Sequence, residues 1–365
     1  MKLFVCPYGL LWIVGYKESE EAQAVYTYAS GIRVGSGTQI NSTTQVKTRY
    51  SLKYKVTTSM KSSERARAAD MARVLVLTNT RSGLQNKFGV IRRAFKKYWE
   101  QSHGAELFYQ FSDSKEDGER KARRAVEAGF NAIIVAGGDG TVSTIGRCLV
   151  GTPVSLGVIP CGSGNGFARH FEIPLAADKA VAALAQARPL AIDVGLVNHT
   201  PFFVTCSMAW DAAIVRSFER YPIRGIVPYI LAGVQEFFDY TPQNMVVTMD
   251  DRAAIRFEHP IVFTVANLSQ FGGGARIAPN ADPRDGELEL VVGLKQDAAR
   301  LMANLANLFN GQIDQIRALR SYAFRKLTVL RETAAAIQID GELAEAPREI
   351  VVQVAPRSLQ VLAPG

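Results

Sequence analysis

Two glycine-rich segments carry the residue types that hold phosphate groups in proteins. Residues 137–141 read Gly-Gly-Asp-Gly-Thr and follow an apolar run, and residues 157–169 read Gly-Val-Ile-Pro-Cys-Gly-Ser-Gly-Asn-Gly-Phe-Ala-Arg. Glycine lets the backbone approach a phosphate closely, and the N–H groups at the start of a following helix attract an anion. We therefore expect both segments to bind a ligand that carries phosphate.

An aspartate inside the first segment indicates a further component. A bare carboxylate repels phosphate, so Asp139 suits this loop if it binds Mg²⁺ or accepts a proton. The alternative is a purely structural Asp-Gly turn, with Thr141 as the cap of the next helix. The second glycine-rich segment, one βα unit later, favours the chemical interpretation.

Other common site chemistries are excluded by spacing. The second segment lacks the G-x-x-x-x-G-K-[ST] pattern of a P-loop and is not a clean G-x-G-x-x-G. Cys161 has no acid–histidine pair placed to activate it as a nucleophile. The four cysteines form no Cys-x-x-Cys pair and the four histidines are scattered, so neither a disulfide scaffold nor a zinc cluster is expected.

The elements that must position these loops alternate between strand and helix. Short apolar runs predict strands at 73–78, 106–111, 132–136 and 155–159, and amphipathic patterns predict helices at 90–102, 117–128, about 141–149 and 167–171. This alternation predicts an α/β domain with a doubly wound parallel sheet. Ligands of such sheets bind beyond the carboxyl ends of the strands, where both glycine-rich loops fall.

The pattern changes after residue 193 to short strands separated by turns. Strands are predicted at 191–197, 202–207, 245–249, 261–266, 288–292, 325–330, 336–339 and 350–354. This spacing is typical of a mainly antiparallel β-sandwich. Two segments between these strands, 226–240 and 298–309, are predicted to be helical.

Residues 1–70 differ in composition from the rest. Residues 3–15 form an apolar run that is too short to span a bilayer and has no clear cleavage site after it, and residues 50–58 could form one strand. An alternative is that translation begins at Met71. We divide the chain into an atypical extension, 1–70, a nucleotide-binding domain, 71–196, to which a C-terminal strand in 351–365 can return, and a β-rich substrate domain, 197–350.

Composition restricts the class of protein. The 365 residues are 47% hydrophobic and 21% charged, which excludes a fully disordered chain and a polytopic membrane protein. The net charge is +8, with +5 in residues 1–70 and +3 in the remainder. This balance suits an anionic partner or a solubility charge, and no basic-aromatic string predicts nucleic-acid binding.

Together the motifs resemble the catalytic family of diacylglycerol kinases, particularly its bacterial soluble lipid kinases, with sphingosine and ceramide kinases as relatives. The resemblance covers residue 72 to the C-terminus. Its motifs are Asn-Thr-Arg-Ser-Gly at 79–83, the two glycine-rich segments, Ile-Asp-Val-Gly at 192–195, Ala-Pro-Asn-Ala at 278–281, Asp-Gly-Glu-Leu at 285–288 and Ile-Asp-Gly-Glu at 339–342. The chain departs from the family pattern at Thr80, Leu84 and Gly166, and Leu84 stands where a lysine is common.

The resemblance implies site residues for ATP, Mg²⁺ and a lipid alcohol. Glu342 would be the general base and Asp139 a second catalytic carboxylate, joined by Asp193 in a network between the domains. A structural Mg²⁺ would be held by Asp285 with main-chain oxygens of Asp282 and Glu287. ATP would be surrounded by Asn79, Thr80, Arg81, Ser82, Gly83, Ser112, Gly138, Asp139, Gly140, Thr141, Val142, Ser143, Thr144 and Ser163.

The resemblance thus implies an enzyme, a kinase that moves the γ-phosphate of ATP to a lipid hydroxyl such as that of diacylglycerol or a sphingoid base. The expected location is cytoplasmic with transient attachment to a membrane surface, and the chain could form a homodimer. The residues that would line an apolar lipid cleft between the domains are Phe202, Phe203, Trp210, Phe237 and Phe238. Two alternatives stay open: an NAD kinase-like enzyme acting on a small metabolite, and a catalytically silent lipid- or nucleotide-binding protein.

Overall fold

The structure is a computed structural model that describes residues 2–5, 11–14, 72–79, 88–100, 105–210, 240–270, 273–304, 307, 316 and 318–364. The chain separates into two units, Met1–Arg67 and Ala68–Gly365. In the first unit, strands β1 (Lys2–Val5) and β2 (Leu11–Val14) pair antiparallel. The predicted strand at 50–58 and most of the predicted helix at 226–240 lie outside the described residues.

The second unit begins with alternating strands and helices, because buried apolar runs alternate with amphipathic ones. The strands are β3 (Arg73–Asn79), β4 (Glu106–Ser112), β5 (Ala132–Gly137) and β6 (Ser155–Pro160). The helices are α1 (Phe88–Phe95, continued by a π-helical turn Lys96–Glu100), α2 (Lys115–Glu127), α3 (Asp139–Leu149), α4 (Gly166–His170) and α5 (Ala177–Gln186).

The chain then continues mainly as strands. These are β7 (Arg188–Val197), β8 (Thr200–Phe202), β9 (Thr205–Ser207), β10 (Met245–Met249), β11 (Ile255–Phe257), β12 (Pro260–Ala266), β13 (Leu288–Leu294), β14 (Leu319–Phe324), β15 (Lys326–Arg331), β16 (Ala335–Ile339), β17 (Glu342–Ala346) and β18 (Glu349–Ala363). A 3₁₀ turn, Lys295–Asp297, precedes helix α6 (Ala298–Ala303).

Two sheets organise these strands. One has the order β11-β10-β15-β18-β6-β5-β3-β4, with β7 on β18 and β8 on β7, and its β4-β3-β5-β6 part is parallel. The other, β14-β13-β12-β9-β16-β17, is antiparallel. The α/β lobe encloses one hydrophobic core, and a second core lies between the antiparallel strands of both sheets. The predicted fold class, a parallel α/β domain followed by a mainly antiparallel β-sandwich, is confirmed.

The longest strand belongs to both lobes. The first half of β18 pairs antiparallel with β15, and its second half pairs parallel with β6. Strand β7 follows β18 along its length and crosses a register shift between Ala355 and Leu359, where Arg357 has a positive φ of 49°. Because backbone hydrogen bonds continue along β7 and β18, one sheet extends through both lobes.

The prediction of one strand at 202–207 differs from the structure, which breaks this segment into β8 and β9. The break exists because the backbone N–H groups of Phe203, Val204 and Thr205 turn toward the carboxylate of Asp340, at 2.8–3.3 Å. Asp340 also accepts a hydrogen bond of 2.9 Å from the Ser143 hydroxyl on α3. One buried carboxylate thus joins the sandwich to a helix of the α/β lobe.

We expect Asp340→Asn to lower the free energy of unfolding by about 1–3 kcal/mol, because an amide nitrogen replaces one of the two oxygens that accept these hydrogen bonds. Urea unfolding of the full chain measures the change. Asp251→Asn is the matched control, since Asp251 is exposed and its left-handed backbone also suits asparagine. Equal unfolding midpoints for both variants would contradict the role given to Asp340.

Candidate functional site

The two glycine-rich loops lie directly against each other at the carboxyl ends of β5 and β6. A Cβ atom added to Gly162 would lie 2.7 Å from the Cα atom of Gly138, and one added to Gly138 would lie 3.1 Å from the Cα atom of Gly162. The backbone N–H of Cys161 donates to the carbonyl of Gly137 at 2.9 Å. The contact is backbone against backbone, so only glycine fits at position 162 without moving the loops.

The second loop is held in shape by two polar side chains. Asn165, with a positive φ of 53°, accepts from the N–H of Gly162 at 2.9 Å and donates to its carbonyl at 2.7 Å. Asp139 accepts from the N–H of Phe167 at 3.2 Å. The second loop is therefore held through its backbone by Asn165 from within and by Asp139 from the first loop.

The carboxyl group of Asp139 faces this second loop. Burial raises the pKa of Asp139 above its ordinary value, although hydrogen bonds from the backbone N–H groups of Phe167, Gly166 and Asn165 favour the charged form. These contacts give Asp139 a structural task, since it connects the start of α3 to the start of α4. A direct role in catalysis stays a prediction.

A cleft of about 240 Å³ lies beside the first loop. It is lined by Asn79, Ser112, Ser114, Lys115, Gly118, Gly138, Gly140, Thr141, Thr144 and Ile145. The side-chain amide of Asn79 donates to the Thr141 hydroxyl at 3.0 Å, which joins the end of β3 to the first turn of α3. The cleft therefore lies where the carboxyl ends of β3, β4 and β5 meet, as expected for a ligand site of a parallel sheet.

The predicted nucleotide residues other than Asp139 fall into three groups. Six of them line the cleft: Asn79, Ser112, Gly138, Gly140, Thr141 and Thr144. Val142 is buried in the core, Ser143 bonds Asp340, and Ser163 is exposed on the second loop next to Gly162. Residues 80–83 and 84 lie outside the described residues.

Glu342 comes from the other lobe and reaches the same cleft. One of its carboxylate oxygens, Oε1, lies 3.5 Å from where a Cβ atom of Gly140 would be. Asp340 and Gly341 precede it with φ values of 50° and 85°, the pattern of a two-residue type I′ hairpin turn. The buried side chain of Asp340 fixes this turn, so it also fixes the position of Glu342.

Lys115 was not identified from the sequence. Its Nζ atom forms an ion pair with Oε1 of Glu342, and it lines the cleft from the first turn of α2. Lys115 lies in a charged amphipathic segment with several basic residues, so no local pattern distinguishes it. Only the approach of α2 to the β16–β17 turn reveals the contact.

The predicted magnesium residues occupy an ordered turn near Asp193. Asp193 is fully buried, and its carboxylate accepts from the N–H groups of Gly286 and Arg357, each at 2.7 Å. Asp282 pairs with Arg284 through two hydrogen bonds of 2.8 and 2.9 Å. The contacts of Asp193 hold the turn against β7 and β18.

The carboxyl group of Asp285 lies among other acidic groups at this turn. Burial raises the pKa of its carboxyl group, and the negative charges of Asp282, Glu287 and Asp193 raise it further. Within the described residues, no group of three or more His, Cys, Asp or Glu side chains is arranged to hold a metal ion. The predicted set uses one carboxylate, that of Asp285, and two main-chain carbonyls, and such oxygen donors fit a hard cation. A cation here would also offset the repulsion between Asp285 and the neighbouring acidic side chains.

Two of the predicted lipid-contacting residues are core residues instead, and Phe237 and Phe238 lie outside the described residues. The ring of Phe202 packs on Gly195, and the ring of Phe203 packs on Gly146 of α3, where an added Cβ atom would lie 2.9 Å from it. Both side chains are almost fully buried, at 0% and 1% exposure. Aromatic side chains after a strand are more often core than ligand-binding residues, and this is the case here.

We expect Gly162→Ala to weaken nucleotide binding at least tenfold, because the new methyl group must push the two loops apart. Global stability should change little, since the loops lie at the edge of the sheet. Nucleotide titration by calorimetry and thermal unfolding measure the two effects. Gly89→Ala on α1 is the control, because its nearest neighbour is a side-chain atom of Arg93 at 3.8 Å. Unchanged nucleotide affinity in Gly162→Ala would contradict the proposed importance of the loop contact.

The lowered pKa of His170 should make the free energy of unfolding depend on pH. Burial lowers its pKa from 6.5 to about 4, and the positive charges of Arg284 and Arg276 act in the same direction, while Asp282 opposes the shift. Its Nδ1 atom accepts from the N–H of Ser269 at 3.3 Å. Below pH 6.5 the unfolded chain binds a proton at this position that the folded chain does not bind, until the pH nears 4.

The free energy of unfolding should therefore fall by at most about 2 kcal/mol through His170 as the pH goes from 7 to 5, and this loss should be absent above pH 7. Urea unfolding of His170→Gln, compared with wild type at both pH values, measures it. His199→Asn is the control, because His199 is exposed. Identical pH slopes for His170→Gln and wild type would show that this residue does not titrate as stated.

Comparison with known proteins covers nearly all of residues 73–363. The model of the diacylglycerol kinase catalytic domain matches 73–197, and the model of the YegS C-terminal NAD kinase beta sandwich-like domain matches 205–363. Across the described residues, no helix is long and apolar enough to cross a membrane.

Individual relatives match over similar lengths. A diacylglycerol kinase of Mycobacterium tuberculosis is 26% identical over 81% of this chain and 96% of its own. A probable lipid kinase YegS-like of Yersinia enterocolitica is 25% identical over 80% of this chain and 96% of its own. A putative diacylglycerol kinase from Bacillus anthracis has the same fold, with a TM-score of 0.67 and 17% identity over 80% of this chain and 97% of its own. With both domain models matched in order over most of its length, the chain belongs to the diacylglycerol kinase catalytic-domain family of lipid kinases.

Proposed function

We propose that this lipid kinase transfers the γ-phosphate of ATP to the hydroxyl group of a membrane lipid such as diacylglycerol or a sphingoid base. The observation that carries the proposal is that Glu342 lies beside Gly140, a cleft residue of the first glycine-rich loop, and that the second glycine-rich loop packs against the first. The two glycine-rich loops come from the α/β lobe, and Glu342 comes from the sandwich. A nucleotide phosphate and an acceptor alcohol require such a combination.

The glycine loops would bind the triphosphate. Phosphoryl transfer needs positioning and charge stabilisation more than covalent chemistry from the protein. Gly138 and Gly162 have no side chains that would keep a phosphate away from their backbone, and Asn79 and Thr141 add polar groups at the rim. Asp139 lies in the first loop and holds the second loop in place, because its carboxylate accepts hydrogen bonds from backbone N–H groups of the second loop.

Glu342 would act on the acceptor. Its carboxylate lies over Gly140, so an alcohol between the lobes can reach both this carboxylate and a phosphate beside the first loop. In the transfer, a new bond forms between the alcohol oxygen and the γ-phosphorus, and the bond from that phosphorus to the β,γ-bridging oxygen breaks. The alcohol proton passes to Glu342 and later to solvent, and ADP leaves.

Mg²⁺ is part of the proposal. The turn at 282–287 would hold it through Asp285 and the main-chain oxygens of Asp282 and Glu287, and there it would offset the acidic groups around Asp193. When bound, the ion supplies positive charge that stabilises the turn between β7 and the sandwich. The acceptor would be reached by transient attachment to a membrane surface, because lipid alcohols reside there.

We expect Glu342→Gln to lower lipid phosphorylation at least about 100-fold, because a general base contributes a factor of that order or more. The assay follows radiolabelled phosphate from ATP onto lipid vesicles that contain diacylglycerol, a sphingoid base or a total lipid extract. A parallel reaction offers NAD as a soluble acceptor. Glu345→Gln is the matched control, since Glu345 is exposed on the same strand, three residues away.

The outcomes of this assay distinguish a lipid kinase from a kinase of soluble metabolites and from a binding protein without catalysis. Label on lipid in the wild type and in Glu345→Gln, but not in Glu342→Gln, supports the proposal. Label on NAD instead of lipid favours a kinase of soluble metabolites. The absence of transfer to any acceptor favours a binding protein without catalysis, and full activity of Glu342→Gln removes the role of general base.

A further inference from the structure

An ion pair joins Lys115 of the α/β lobe to Glu342 of the sandwich. Lys115 lies in the first turn of α2 and Glu342 at the start of β17, 227 residues apart in the chain. Lys115 lines the cleft, and Oε1 of Glu342 lies 3.5 Å from where a Cβ atom of Gly140, another lining residue, would be. As the structure has them, one carboxylate oxygen of Glu342 accepts from an ammonium group and is not available to accept a proton from an alcohol.

This ion pair contributes little to the stability of the folded protein. Lys115 is 60% exposed and Glu342 30% exposed, and exposed ion pairs contribute about 0–1 kcal/mol. A cation in the first turn of a helix also opposes the helix dipole, which favours negative groups there. Since the contact does little for folding, a more strongly charged ligand can replace it at small cost.

The cleft has few other charges for such a ligand to meet. Among the described residues that line it, Lys115 is the only one with a positive charge, and the others are glycines, polar neutral residues and Ile145. A triphosphate carries several negative charges, and its terminal phosphate is the group nearest the place of transfer.

We propose that Lys115 is the residue that binds the γ-phosphate, and that this binding releases Glu342 to act as a base. Without nucleotide, Lys115 holds Glu342. When the triphosphate binds, the ammonium group moves to a γ-phosphate oxygen, and the carboxylate turns to the lipid hydroxyl. ADP, which lacks the γ-phosphate, leaves the ion pair intact. This inference rests on the proposed function, because it assumes ATP as the donor.

The coupling predicts opposite effects of two substitutions on nucleotide affinity. In Lys115→Met the γ-phosphate loses a charge-assisted contact, so affinity for the β,γ-imido analogue of ATP should fall about tenfold, while affinity for ADP should change less than threefold. In Glu342→Gln the lysine is free of its partner, so the analogue should bind severalfold more tightly. The double variant should bind like Lys115→Met.

The experiment is a calorimetric titration of the full chain with the imido analogue and with ADP. Lys115→Arg is a conservative variant that should restore most of the affinity. Arg124→Met, an exposed cation on the same helix but outside the cleft, is the control for net charge. Thermal unfolding of each variant checks that the fold is intact. In the lipid assay, Lys115→Met should raise the KM for ATP more than Arg124→Met does.

The outcomes separate this inference from the proposed function. If the wild type binds the analogue and phosphorylates lipid, but Lys115→Met discriminates ATP from ADP as the wild type does, the inference is overturned and the proposed function stands. Unchanged affinity in Glu342→Gln also overturns it, since no contact is then released on binding. If the wild type neither binds nucleotide nor transfers phosphate, the proposed function fails and the inference fails with it.

Discussion

The close approach of Gly138 to Gly162 is the constraint on which the site depends. Two backbone segments that follow neighbouring parallel strands come within van der Waals contact, with no side chain between them. Because a methyl group at either position would meet backbone atoms, the approach requires glycine there. Its effect is to place two turns, each leading into a helix, at one edge of the sheet, where a phosphate chain can meet both.

Three aspartates that lie within the sequence motifs accept hydrogen bonds from backbone N–H groups of other segments. Asp139 joins α3 to the second loop, Asp193 joins the 282–287 turn to β18, and Asp340 joins α3 to the segment between β8 and β9. Each of these carboxylates is at least partly buried and accepts hydrogen bonds from fixed protein groups instead of from water. These hydrogen bonds stabilise one specific arrangement of the loops. The acids thus position the lobes, and Glu342 is the one that reaches the open cleft from the sandwich.

The elements that could be predicted from the sequence are those with a strong local pattern. Strands β3, β5 and β6 are short, buried and apolar, and their predicted bounds agree with the structure to within one residue. Strand β17 was missed because its Glu-Leu-Ala-Glu-Ala sequence has weak strand propensity and forms only by pairing with β16. The strand predicted at 350–354 and the C-terminal strand predicted within 351–365 form one continuous element, β18, because β7 and β6 supply partners for its second half.

The amino-acid sequence alone determined the glycine-rich turns, the order of strands and helices, the class of fold and the family, since each of these depends on residue types at short spacings. The tertiary structure alone decided which side chains meet. Lys115 and Glu342, 227 residues apart, contact each other because Asp340 holds the β16–β17 turn against α3, next to α2. Phe202 and Phe203 became core residues because Gly195 and Gly146 leave space for their rings. Such contacts join distant segments, and local residue patterns carry no information about them.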